Sequence, residues 1–186
     1  MGCAASEGLE IRKVAAPHLQ ALTERISETC HLAVPSETHS LILEVSLSPH
    51  PLRAASRPGT MVDLHCSATG KIFLAHSLWE SLPALCENGQ FVKRTPNTLV
   101  TFEELETECR KIKELGYSMD EEEYHEGVRC LAVPVFDAGN KVIAAVCITA
   151  ARQRFRKPKT LAMRDEALRT AQDIAWDLGY HPVRAR

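Results

Sequence analysis

The chain has 186 residues, 45% of them hydrophobic and 25% charged, with a formal net charge of −2 at pH 7. That is enough apolar sequence for one domain with a full core. It excludes the strongly basic surface a nucleic-acid binder needs, and no apolar run nears the ~20 residues of a membrane span. Seven cysteines, an odd number without a CxxC pair, argue for a reducing compartment and against a disulfide framework.

The first six residues, MGCAAS, fit the myristoylation pattern, with Cys3 as a palmitoylation site. A chance match at an artificial start is the preferred reading. No secretory segment follows, so a cytoplasmic protein without a membrane partner is expected. Residues 9–28 have helical periodicity, with Val14, Ala15, Leu19, Leu22 and Ile26 at spacings of three and four. Pro17 predicts a kink or a new start inside it. Residues 29–34 and 40–45 read as strands, and 51–56 as a weaker third.

His65 to Lys71, HCSATGK, ends in Gly-Lys as a phosphate-binding loop does. Such a loop needs a glycine five residues earlier and a Ser or Thr afterwards; His65 and Ile72 stand there instead. What remains is a helix start, with Ser67 as N-cap and Ala68, Thr69 and Gly70 as first turn. Its free N–H groups and the helix dipole suit a carboxylate, although on the residues alone the preferred reading is that Ser67 caps an ordinary core helix. Lys71 is expected to snorkel to solvent.

A short helical piece follows at 79–86. Thr101-Phe102-Glu103-Glu104 is a capping box. It opens a helix that buries Leu105, Cys109, Ile112 and Leu115 and stops at Gly116. Residues 117–120 are extended, and the acidic run after them reads as a solvated loop. Residues 128–136 and 141–149 form a hairpin through Asp137-Ala138-Gly139-Asn140. A two-residue turn there sets Cys130 opposite Cys147 and Val128 opposite Thr149, all four on one face. Arg129 points to the other face, toward a surface ion pair. The basic stretch 152–159 reads as a solvated loop. A last helix, 160–178, turns Leu161, Leu168, Ile174, Ala175 and Leu178 inward, with Trp79 and Trp176 as packing residues. The order α-β-β-β-α-α-β-β-β-α indicates an α+β domain, an antiparallel sheet of about six strands with helices packed on it.

PHLQAL, ETCHLAV, PHPLRAAS, HCSATGKIFLA, GYSMDEEEYHEGVRCLAVPVFD and VIAAVCITA occur in that order. Together they resemble the C-terminal effector-binding domain of the IclR family of bacterial transcriptional regulators. The resemblance implies a GAF-like domain over residues 11–182, with residues 1–10 a linker remnant and the family's N-terminal winged helix-turn-helix absent from this chain. It implies a regulatory domain rather than an enzyme, with a small organic acid as effector, a homodimer or tetramer as assembly, DNA contacted only through the missing domain, and no cofactor.

By position it implies that Ala68 and Thr69 offer N–H groups to the carboxylate. Asp120 matches an acidic pocket residue and Cys130 a pocket cysteine. Cys147 and Thr149 stand where similar regulators often carry serines, and Val62 and Val128 form apolar wall. Cysteine for serine makes the pocket less polar, which suggests a larger or more apolar acid, such as an aromatic one. The alternative is a zinc sensor or metal-dependent enzyme built on Cys130, Cys147 and Asp120, with His65 and Cys66 as further ligand types. A third reading has Cys66 or Cys130 as nucleophile with His65 or His125 as base. Cys130 and Cys147 also invite a cross-strand disulfide under oxidation.

Overall fold

The computed structural model describes residues 2–54, 56–86 and 90–180. Met1, at the start of the lipidation pattern, and residues 181–182, the expected end of the domain, lie outside the described residues. Helix α1 spans Gly2–Ile26 and runs through Pro17 without the expected break. Pro17 sits on the exposed side, and the buried stripe of Ile11, Ala15, Leu19 and Leu22 continues past it. Packing of that stripe outweighs one missing helical hydrogen bond.

Strands β1 (Thr29–Ser36), β2 (His39–Ser46) and β3 (Met61–Asp63) follow. The third strand is not at 51–56, where residues 51 and 52 form a bend. It is the three-residue edge strand after Gly59, pairing Met61, Val62 and Asp63 with Leu41, Ser40 and His39. Helix α2 (Ala68–His76) leads through a 3-10 stretch, Trp79–Leu85, to α3 (Phe102–Leu115). Then come β4 (Ser118–Glu121), β5 (Val128–Phe136), β6 (Val142–Ala151) and α4 (Lys157–Asp177). Among the described residues the sheet has six strands, all antiparallel to their neighbours, in the order β3-β2-β1-β6-β5-β4.

Strand side chains alternate between two layers. Leu32, Leu131, Val133, Val146 and Ile148 pack against α1 and α4, while Ala33, Ala132, Ala145 and Cys147 pack toward α2 and α3. Both caps form as expected. Ser67 Oγ accepts from Gly70 N at 3.1 Å, and Thr101 and Glu104 exchange both capping-box bonds. Gly70 is required for a second reason. A Cβ there would lie 2.5 Å from the Leu64 Cα and carbonyl oxygen.

The β5–β6 register differs from the expected one. Cys130 pairs with Thr149, Ala132 with Cys147 and Val128 with Ala151. Asp137 Oδ1 accepts from the N–H groups of Gly139 and Lys141, both at 2.9 Å, and so closes a wider loop than a two-residue turn. A bulge beside Phe136 adds the rest of the offset. The total shift is two residues, so every side chain keeps its face.

Several solvated readings are also corrected. Lys71 is fully buried rather than snorkelling, 2.5 Å from Glu123 and 3.6 Å from Glu108. Glu123 is therefore buried inside the acidic run. The stretch 152–159 is not a free loop: Phe155 is buried, and Arg154 and Lys159 pair with buried Glu28 at 2.8 and 3.3 Å. Leu115, Leu161 and Trp176 are exposed, and α4 buries Met163, Ala167 and Ala171 instead, beside Ile174. Arg129 makes the expected surface ion pair, with Glu121 at 3.2 Å.

Candidate ligand-binding site

A cavity of about 430 Å³ lies between the inner face of the sheet and the start of α2. Val62, Ala68, Thr69, Asp120, Val128, Cys130, Cys147 and Thr149 all stand on its wall. Alternation explains the sheet side. Cys130, Cys147 and Thr149 come from β5 and β6 residues that point away from α1 and α4. The helix side follows from capping. Ser67 uses its hydroxyl on Gly70, which leaves the N–H groups of Ala68 and Thr69 as first-turn donors without an intrahelical acceptor. The Thr69 hydroxyl accepts from buried Ser40 at 2.8 Å, which fixes its rotamer at the cavity wall.

Asp120 faces the cavity from β4. Burial pushes its carboxyl up to about 7, against two backbone bonds that favour the anion. Oδ1 accepts from Glu123 N at 2.7 Å and Tyr124 N at 3.3 Å. Behind it, Glu123 is also pushed up by burial, with the Lys71 ammonium opposing. Thr95, Asn97 and Thr98 brace this acidic loop through the carbonyls of Glu122, Glu121 and Glu123. Arg94 ties the loop to β3. Its Nε donates to Asp63 at 2.6 Å and its guanidinium lies 4.3 Å from the Tyr124 ring centre.

The sheet wall is soft and weakly polar. Thr149 Oγ1 donates to Cys130 Sγ at 3.4 Å, and Cys147 Sγ lies 3.9 Å from the same hydroxyl. Burial raises the Cys147 thiol, but its neighbours Cys130, His31 and Thr149 outweigh that and hold it below the ordinary thiol range. Cys130 is correspondingly raised. The other buried thiols behave as plain apolar groups. Burial pushes Cys109 up to about 11 and Cys30 up to about 12, and raises Cys66 as well. Cys66 is thus a poor nucleophile, and burial lowers its neighbour His65, whose Nε2 is 2.9 Å from the Val92 carbonyl.

The metal alternative is not supported by the donor geometry. Among the described residues, the ligand-type atoms that gather within 4.8 Å of one another belong to Asp63, His65 and Cys66, not to Asp120, Cys130 and Cys147. Asp63 in that group already receives the Arg94 guanidinium.

The wall also includes residues that sequence reasoning missed, His31, Ile42, Ser56, Arg57, Thr60 and Tyr124, together with His125, which the sequence offered only as a candidate base. His31 had a weak signal, since it lies at an alternate position of a strand. Its neighbour across β1 and β6 is Cys147, a pairing no local pattern reveals.

The family model for the bacterial transcriptional regulator IclR C-terminal domain matches residues 3–176. The repressor YiaJ of Escherichia coli is 33% identical over 97% of this chain and 65% of its own length. The chain spans about two thirds of the length of such curated relatives. The crystal structure of Thermotoga maritima IclR superposes with a TM-score of 0.83 at 30% identity, over 91% of this chain and 69% of that one. The inducer-binding domain of PobR from Acinetobacter, a double mutant crystallised with 3-hydroxybenzoic acid, shares the fold, with a TM-score of 0.77 at 24% identity, over 88% of this chain and 97% of that one.

Proposed function

The chain belongs to the IclR family of bacterial transcriptional regulators, as its C-terminal effector-binding domain, and we propose that its cavity binds a small aromatic carboxylate that biases DNA binding by the longer regulator. The observation that carries this reading is the start of α2 at the wall of a 430 Å³ cavity. Two first-turn N–H groups and the helix dipole receive the carboxylate there. Ile42, Val62 and Val128 suit an apolar ring, and Thr149 and Asp120 suit a polar substituent on it. Asp120 accepts a hydrogen bond from a ligand hydroxyl when ionised and tolerates the ligand's charge when protonated.

The ligand would act by preferring one arrangement of α2 and the acidic loop over another. Lys71 on α2 and Glu123 in that loop are joined by the buried ion pair, so the two walls move together. The regulator would work in the cytoplasm as a homodimer or tetramer and contact DNA through its helix-turn-helix domain. Calorimetry with 3-hydroxybenzoate, benzoate and pyruvate tests the reading. The benzoates should bind and pyruvate should not; the reverse order would refute the aromatic assignment. Thr149→Val combined with Asp120→Ala should abolish acid binding while circular dichroism stays unchanged. Undiminished affinity in that double variant would remove both residues from the site.

A further inference from the structure

Three side chains on the cavity wall have no task in holding a carboxylate. His31, Cys147 and Cys130 stand in sequence across β1, β6 and β5 on the inner face of the sheet. His31 is directly opposite Cys147, and Thr149 is directly opposite Cys130. Cys147 therefore has an imidazole opposite it on β1 and a second thiol diagonal to it on β5. Thr149 Oγ1 donates to Cys130 Sγ at 3.4 Å and lies 3.9 Å from Cys147 Sγ, so one hydroxyl bridges the two thiols. His31 is 5% exposed, and its Nδ1 is buried without a hydrogen-bond partner among the described residues. An imidazole nitrogen left unsatisfied beside a thiol, in a cavity, is arranged as a base rather than as packing.

We propose that Cys147 is a covalent capture site for small carboxylic acids bearing a soft electrophilic carbon, α,β-unsaturated acids above all, with His31 as its base. This rests on the cavity being an acid-binding site, since the start of α2 would hold the carboxylate while the unsaturated carbon faces the sheet. His31 takes the Cys147 proton. The sulfur forms a bond to the alkene carbon β to a second, electron-withdrawing carbonyl of the acid, and the carbon–carbon π pair moves to the carbon α to that carbonyl. That carbon then takes the proton back from His31. One C–S bond and one C–H bond form, one S–H bond and one π bond break, and nothing leaves or is oxidised.

The register favours addition over oxidation. Cys130 and Cys147 are diagonal rather than opposed, and diagonal neighbours in an antiparallel pair have Cα atoms roughly 7–8 Å apart. A disulfide between them would need the backbone to move. Cys147 also differs from the other buried thiols in the direction of its shift: three neighbours favour its thiolate, whereas burial is the largest influence on Cys66 and Cys109 and raises both.

The test uses trans-4-oxo-4-phenylbut-2-enoate and its amide on the intact chain, with adducts mapped by peptide mass spectrometry. Each rate is divided by the same reagent's rate with free cysteine. Cys147 should be the first thiol labelled, and the acid should label it roughly ten-fold faster than the amide, the preference a helix start gives an anion. Benzoate should slow the labelling, and His31→Phe should slow it too. Cys147→Ser should remove the adduct; if that variant misfolds, site mapping on the unaltered chain decides alone. Equal normalised rates for acid and amide, or labelling led by half-buried Cys86, would overturn the proposal. Calorimetric binding of benzoate without a Cys147 adduct would overturn the covalent role only. Failure of both would remove the acid-binding reading as well.

Discussion

At the scale of single residues, Asp120 sets the pH response. Its folded pKa is raised from 3.8 to about 7 by burial, so the native state holds a proton that the unfolded chain has released. Stability from this group is intact below pH 4 and declines as pH rises from there through 7. Acid binding should follow the same sense, because an ionised Asp120 repels a carboxylate. Affinity should fall by up to about ten-fold per pH unit above 7, and Asp120→Asn should flatten that slope in calorimetry from pH 6 to 8. Lys71 is the second sensitive position. Lys71→Met strands Glu123 in the interior and should cost about 3–5 kcal/mol in urea unfolding, much of it recovered by adding Glu123→Leu. Residue-level reading reaches the cavity wall where a motif fixes position and fails where a partner is distant. Asp120, Cys130 and Thr149 reach the cavity from recognisable segments. Lys71 was misread because its partner lies 52 residues away.

At the scale of elements, local chemistry fixed the helix starts. Ser67 and the Thr101–Glu104 box form the bonds their sequences announce. Gly70 shows how tightly α2 is seated. Gly70→Ala should push the first turn off Leu64, cost about 1–3 kcal/mol by thermal unfolding, and weaken acid binding through displaced Ala68 and Thr69 N–H groups. Strand positions were legible only where alternation is long. The β5 bounds were readable, while β3 has three residues and no pattern to read. The hairpin register was off by two because the Asp137 side chain and a bulge set the loop length. The shift was even, so the predicted face survived although the predicted pair did not. That pair matters: opposed thiols invite a disulfide, and diagonal thiols do not.

At the scale of the whole molecule, the cavity and helix α1 lie on opposite sides of one sheet. His31 and Cys147 face the cavity, while their chain neighbours Leu32, Val146 and Ile148 face α1 and α4. No helix among the described residues is long and apolar enough to cross a membrane. Hydrogen exchange with and without benzoate should show protection in the first turn of α2, in residues 120–126, and in β1 and β6 alike. Protection confined to α2 would mean that the sheet does not respond. The sheet acts as a partition loaded from both rooms. Whatever leans on one side changes the support felt on the other, without any object passing through. A substitution such as Leu19→Ala, which stands away from the cavity, should therefore alter the load against which the proposed ligand would push. Tuning of the response can then arise in the helical layer, while the chemistry that chooses the effector stays untouched.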